Sequence, residues 1–342
     1  MKINKLTVAT FGVFLLIGIS ARAQTNWEVV KTFQIGGQGG WDYFTVDSPT
    51  HRLLVPRSTH TMVIDAESGK TIGDIPGQKI AHGVAIVPGV GRGFISDGGG
   101  DGAVVIFDLK TYAVIGSIVA QPDADGIIFD PASGRVLVVS GDGGTLMTLK
   151  PDIDSARGKI DEPIMLGGKP EFLASDGAGK VYVNLVDKNE VAVVDMKSRK
   201  VVARWPVAPG GAPVGMMIDT KKRRLFIGCR KPQKLIVMST DDGKVLADLP
   251  IGAGVDATKG DNGQAFASCR DGTLAVVSET SPGSFAVVQT VKTGQGAGTM
   301  GVDSATHRIY LPTADYEEVK PGATGRPKMI PGTFRILVVA QP

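Results

Sequence analysis

Short apolar runs recur along the chain, broken at regular intervals by Gly, Pro and Asp. One turn signature returns as Asp47–Arg52, Val87–Arg92, Asp130–Arg135, Asp176–Lys180, Asp219–Arg223, Gly260–Gln264 and Asp303–Arg308. The first residues of successive copies lie 40, 43, 46, 43, 41 and 43 positions apart. That period fits a four-stranded unit repeated around an axis, not a helical solenoid. An apolar strand precedes each turn, as in Gly126–Phe129, and a second follows it, as in Lys180–Val183 and Arg224–Gly228. A third closes on Asp in several units (Met62–Asp65, Val104–Asp108, Val191–Asp195), and a fourth follows, as in Lys244–Pro250. Apolar residues stand next to one another in these runs instead of alternating with polar ones. This predicts strands covered on both faces. Gly or Pro interrupts every window long enough for a helix.

The expected fold is therefore all-β: a seven-bladed β-propeller formed by a single domain over residues 24–342. The last unit lacks a fourth strand after Arg335–Val339, and Trp27–Ile35 at the front matches that pattern. Pairing first with last predicts a closed ring with no free sheet edge, and a monomer. Ahead of it, residues 1–23 read as a signal peptide. Lys2 and Lys5 precede an apolar core over Leu6–Ile19, and Ala21, Arg22 and Ala23 supply a small-residue cleavage site. The expected location is periplasmic or secreted, and no later stretch is long enough to span a membrane.

The repeats resemble those of YVTN-type propellers, and the exported layout is similar to that of YncE-like proteins. Gly39–Tyr43, Gly168–Phe172 and Leu311–Asp315 carry the resemblance. It covers essentially the whole mature chain and implies the seven-bladed fold. It implies little chemistry, because one fold hosts unrelated functions.

Composition narrows the function by exclusion. The chain holds 46 Gly and 20 Pro, with 37 Lys and Arg against 34 Asp and Glu. Lys2, Lys5 and Arg22 fall in the signal segment and no acid does, so the mature charge is 34 − 34 = 0. A neutral chain without basic blocks lacks the electrostatic footprint of a nucleic-acid binder. No Cys-x-x-Cys-His haem attachment and no recognisable nucleophile motif is present.

Counting back twelve residues from equivalent second-strand positions places Asp42, His82, Asp125 and, with a turn one residue shorter, Glu171 at the channel mouth. Asp256 joins them if the sixth unit's turn is two residues shorter. Three carboxylates and an imidazole converging on one axis suit a divalent ion (Ca, Mg or Zn) or a polar ligand, since like charges converge at low cost only around something positive. The alternative is a water-filled mouth whose polar groups stay solvated. His60, Asp97, Arg230 and Arg270 are expected on the rim as ligand-binding groups, with Gly98–Asp101 beside them. Cys229 and Cys269, the only cysteines, occupy equivalent positions in neighbouring units. An exported pair suggests a disulfide, whereas the separation of equivalent rungs argues against one. The Pro-rich insertion Tyr316–Thr333 is expected to interrupt the last unit between its second and third strands.

Two functions compete at this point. One is a binding scaffold that presents its channel mouth to a small molecule, polymer or protein. The other is a metal-dependent lyase or lactonase-type hydrolase, with His82 as candidate catalytic base near physiological pH.

Overall fold

The computed structural model describes Met1, residues 26–318 and residues 327–342. The expected signal segment beyond Met1 and residues 319–326 of the insertion lie outside the described residues. Among the described residues there are β-strands and two short 3-10 turns but no α-helix, so no helix there is long and apolar enough to cross a membrane.

The strands form antiparallel sheets in which neighbours are consecutive in sequence, except that the first strand joins the last. Five sheets have four strands. A sixth has seven, because the long strand Thr71–Val87 serves two units. Its first part pairs with Ser58–Asp65, from Ile64 opposite Thr71 to Ser58 opposite Ala81, and its last part pairs with Arg92–Asp97. The innermost strands are Thr45–Asp47, the end of Thr71–Val87, Ala124–Asp130, Pro170–Ser175, Pro213–Asp219, Val255–Asp261 and Gly301–Asp303. Each touches the next in that order, and Gly301–Asp303 touches Thr45–Asp47.

Burial follows position within a unit. Middle strands such as Arg135–Ser140 and Thr145–Leu149 are buried almost throughout, as the unbroken apolar runs require. The outermost strands Lys200–Pro206 and Val245–Pro250 alternate residue by residue, because one of their faces meets water. The recurring Asp has a local task. Asp65, Asp108 and Asp195 accept the backbone N–H and hydroxyl of Ser68, Thr111 and Ser198 three residues on. Asp130 does the same for Ser133. Each carboxylate thus closes its own tight turn.

The N-terminal strand Glu28–Gln34 pairs with the last strand Arg335–Ala340, from Glu28 opposite Ala340 to Gln34 opposite Arg335. Phe33 is buried against the backbone of Gly69, where φ is +74° and a Cβ would stand 2.3 Å from the Phe33 ring. Trp27 donates its ring N–H to Gln264 at 3.0 Å and meets Phe266 edge-on, with ring centroids 5.0 Å apart. Just inside, fully buried Arg57 donates to the carbonyls of Gly36, Gln38 and Gly39 and stacks over Phe334 at 3.7 Å. Burial lowers its pKa to about 10.

Cys229 and Cys269 are both free and buried, and they sit in different apolar clusters. No disulfide joins them. At the base of the insertion, Tyr316 bridges Met329, Glu317 donates its N–H to the carbonyl of Lys328, and Ile330 donates to Asp315. The two ends of the insertion therefore form a short antiparallel stem.

Candidate functional site

The site lies where the innermost strands begin, and β-bulges build it. The register slips between the pairs Ala81–Asp97 and Val84–Ile95, between Ser140–Ala124 and Val138–Ile127, between Pro170–Leu185 and Leu173–Val183, and between Val255–Cys269 and Ala257–Ser268. His82, Asp125, Glu171 and Asp256 are among the residues that these slips leave out of the ladders. A bulge turns the surplus side chain away from its ladder, and here it releases these four towards the axis. Gly follows two of them because the neighbouring unit closes in at that point. A Cβ on Gly83 would stand 2.9 Å from Ile127, and one on Gly126 would stand 2.8 Å from the carbonyl oxygen of Glu171.

The cluster has two halves. In the first, His82 Nδ1 lies 2.7 Å from Asp42 Oδ2 and 3.6 Å from Asp125 Oδ1. One donor atom from each residue falls within 4.8 Å of the others, a spacing that a single metal ion bridges with bonds of about 2.0–2.2 Å. Asp125 Oδ1 is buried and receives no hydrogen bond. In the second half, buried Asp256 bridges the guanidinium groups of Arg230 and Arg270, and Arg230 also stands 3.5 Å from Glu171. That half carries two positive and two negative charges and balances itself. The first half carries two carboxylates against one imidazole and does not.

The electrostatics express this imbalance. Burial raises the Asp125 pKa well above the usual carboxylate range, and the Asp42 charge adds to it. Burial also raises Asp42, against the opposing pull of His82. For His82, burial works downward, but the hydrogen bond to Asp42 and the charges of Asp125, Asp42 and Asp123 outweigh it and lift the imidazole to about 9. Burial raises Glu171 in spite of Arg230. All three groups of the first half therefore hold protons more tightly than they would in water.

The other residues expected at the rim divide sharply. Arg230 and Arg270 belong to the cluster. His60 does not: it pairs across to Pro76 on an outer strand, with Nε2 3.7 Å from Asp74. Asp97 is committed to the backbone, accepting N–H groups of Lys79, Ile80 and Gly99 at 2.9, 2.7 and 3.1 Å. Asp187 and Asp271 hold Lys169 and Ala253 in the same way. These three acids each clamp the loop that leads into an inner strand, so at these positions the rim Asp is a structural device.

Two residues were missed. Tyr43 follows Asp42 and is buried beneath the acids, its hydroxyl pKa pushed well up by burial and then by Glu171, Asp125, Asp256 and Asp42. Its ring lies 4.9 Å from that of Phe172. Lys259 sits deeper, within the inner strand Val255–Asp261. A count of one residue per unit skips Tyr43. A charged residue inside an inner strand was the available signal for Lys259.

No family model and no curated protein matches the chain. Solved structures do. A streptogramin B lyase structure superposes with a TM-score of 0.69 at 13% identity, covering 91% of this chain and 97% of that one. Hydrazine synthase from Kuenenia stuttgartiensis superposes with a TM-score of 0.68 at 14% identity, covering 80% of this chain and 92% of that one. Both are propeller-type proteins, and at such identities the likeness speaks for architecture alone: the chain folds as a β-propeller.

Proposed function

We propose that this chain is an exported, closed, seven-bladed propeller of YncE-like type that binds one divalent cation and, through it, a polar ligand at the channel mouth. Asp42, His82 and Asp125 hold the ion, and the Arg230–Asp256–Arg270 group faces the ligand. Cyclic contact among the innermost strands and the pairing of Glu28–Gln34 with Arg335–Ala340 support closure. The signal-like N-terminal sequence supports export.

One observation carries the metal reading: Asp125 Oδ1 is buried without a donor, beside a second carboxylate and an imidazole nitrogen. A buried carboxylate oxygen without a partner costs free energy that a cation removes. Two oxygens and one nitrogen form a borderline donor set, which favours Zn2+ or Mn2+ over Ca2+ and Mg2+. Three protein ligands leave coordination positions for an incoming group. Elemental analysis of protein equilibrated with Zn2+ tests this. The expected result is one equivalent in the wild type and a loss of at least tenfold in occupancy for Asp125→Asn. A metal-free wild type overturns the reading.

A specific observation favours a second reading, a lyase. The hydrogen-bonded His82–Asp42 pair beside a carboxyl of raised pKa is an acid–base arrangement suited to moving a proton. One propeller neighbour is a streptogramin B lyase. In this reading His82 stays hydrogen-bonded to Asp42 and holds or releases the proton, while a cation on the carboxylates alone would stabilise developing negative charge on a substrate oxygen. Turnover of a lactone or ester abolished by His82→Gln separates this reading from simple binding.

A further inference from the structure

Behind the Tyr43–Phe172 ring pair the channel changes character. A cavity of about 740 Å³ opens towards the recurring turns, on the opposite side from the acid cluster. Phe44, Ile128, Phe129, Met217 and Ile218 line its walls, and Phe172 lies at its inner end. Its size falls within the range of small-molecule sites, and its lining mixes apolar walls with nearly as much polar surface. Ser175, Thr220 and Ser304 supply a polar edge.

Lys259 is the exception among these walls. It lines the cavity, and its ammonium group makes no hydrogen bond or ion pair with any described residue; its partner is the face of Phe172, 5.0 Å from the ring centroid. Asp176, the acid at the cavity edge, is occupied by the N–H groups of Ala178 and Lys180. Lys259 is partly exposed to the cavity, and a cation set against apolar walls without a counter-charge still costs free energy, of which an aromatic face recovers only part. The missing partner is an anion, and the surrounding walls require that the anion carry an apolar body.

We infer that this turn-side cavity is a second binding site, separate from the acid cluster, for an apolar monocarboxylate whose carboxylate pairs with Lys259 and whose body lies against the Phe44, Phe129 and Phe172 side of the chamber. Burial lowers the lysine to about 8, so it is still charged at neutral pH, and a bound carboxylate holds it so.

Decanoate and decanol, titrated calorimetrically into the full-length protein and into Lys259→Met, test the inference. The two probes share an apolar chain and differ in charge. Wild type is expected to bind decanoate saturably at one site and roughly 10- to 100-fold more tightly than decanol. Lys259→Met is expected to erase that preference while still admitting the apolar chain. Absence of saturable decanoate binding by wild type, equal affinity for the two probes, or a preference that survives in Lys259→Met overturns the inference. The wild-type comparison of the two probes stands without the variant, and the outcome is independent of whether the mouth holds a metal.

Discussion

Replacing Lys259 with Met is expected to stabilise the protein, and the amount follows from its surroundings. Burial takes the amine from 10.5 to about 8. At 1.36 kcal/mol per pH unit, holding that charge in the native chain costs at most about 3 kcal/mol below pH 8, because the side chain is partly exposed to the cavity. The unfolded chain keeps its proton up to about 10.5, so stability recovers as pH climbs between the two values, where only the unfolded state carries it. Met has similar length and no charge. Urea denaturation of wild type and Lys259→Met at pH 7 and pH 10 provides the assay. The variant should exceed wild type at pH 7 by up to about 3 kcal/mol, and most of that gap should be gone at pH 10. A variant no more stable than wild type at pH 7, or a gap that does not change with pH, refutes the argument that this ammonium is buried without compensation. A binding residue held at such a cost fits the general trade of stability for function.

Three other perturbations probe the scaffold. Phe33→Ala empties the contact with Gly69 and is expected to cost about 3–5 kcal/mol in urea unfolding while exposing the N-terminal strand to trypsin at Lys31; a cost below about 1 kcal/mol contradicts its role in holding first strand to last. Asp97→Ala removes the acceptor for three backbone N–H groups and is expected to cost about 2 kcal/mol without lowering affinity for any mouth ligand; unchanged stability with weakened ligand binding would return Asp97 to the binding surface. Burial lifts both Cys229 and Cys269 to about 12, so a disulfide-exchange reagent should find no reactive thiol in native protein at pH 8 and two after denaturation.

The fold was legible because its repeat is physical. An Asp three residues before a Ser or Thr closes a turn wherever it falls, and the apolar runs between such turns must be covered on both faces. The acid cluster was legible for the same reason: equivalent positions in successive units point to one axis, so a count along the chain located Asp42, His82, Asp125 and Glu171. Asp256 needed a shift of two residues, and the bulge between Val255 and Ala257 supplies it. His60 and Asp97 were misread because loop membership says where the backbone passes and leaves open where a side chain is spent. His60 lies on a strand facing Asp74, and Asp97 is consumed by the segment entering its own inner strand. Tyr43 and Lys259 act through depth in the channel, which a one-per-unit count does not measure. The cysteines are equivalent in the repeat, yet each is packed into its own apolar cluster.

The central claim is that Asp42, His82 and Asp125 surround one divalent ion. Anomalous diffraction at the zinc edge, from crystals of the protein equilibrated with stoichiometric Zn2+, tests it by location. A single strong peak is expected within bonding distance, about 2.0–2.2 Å, of His82 Nδ1 and of an oxygen from each of Asp42 and Asp125. A peak elsewhere on the surface, or none with His82 still hydrogen-bonded to Asp42, contradicts it.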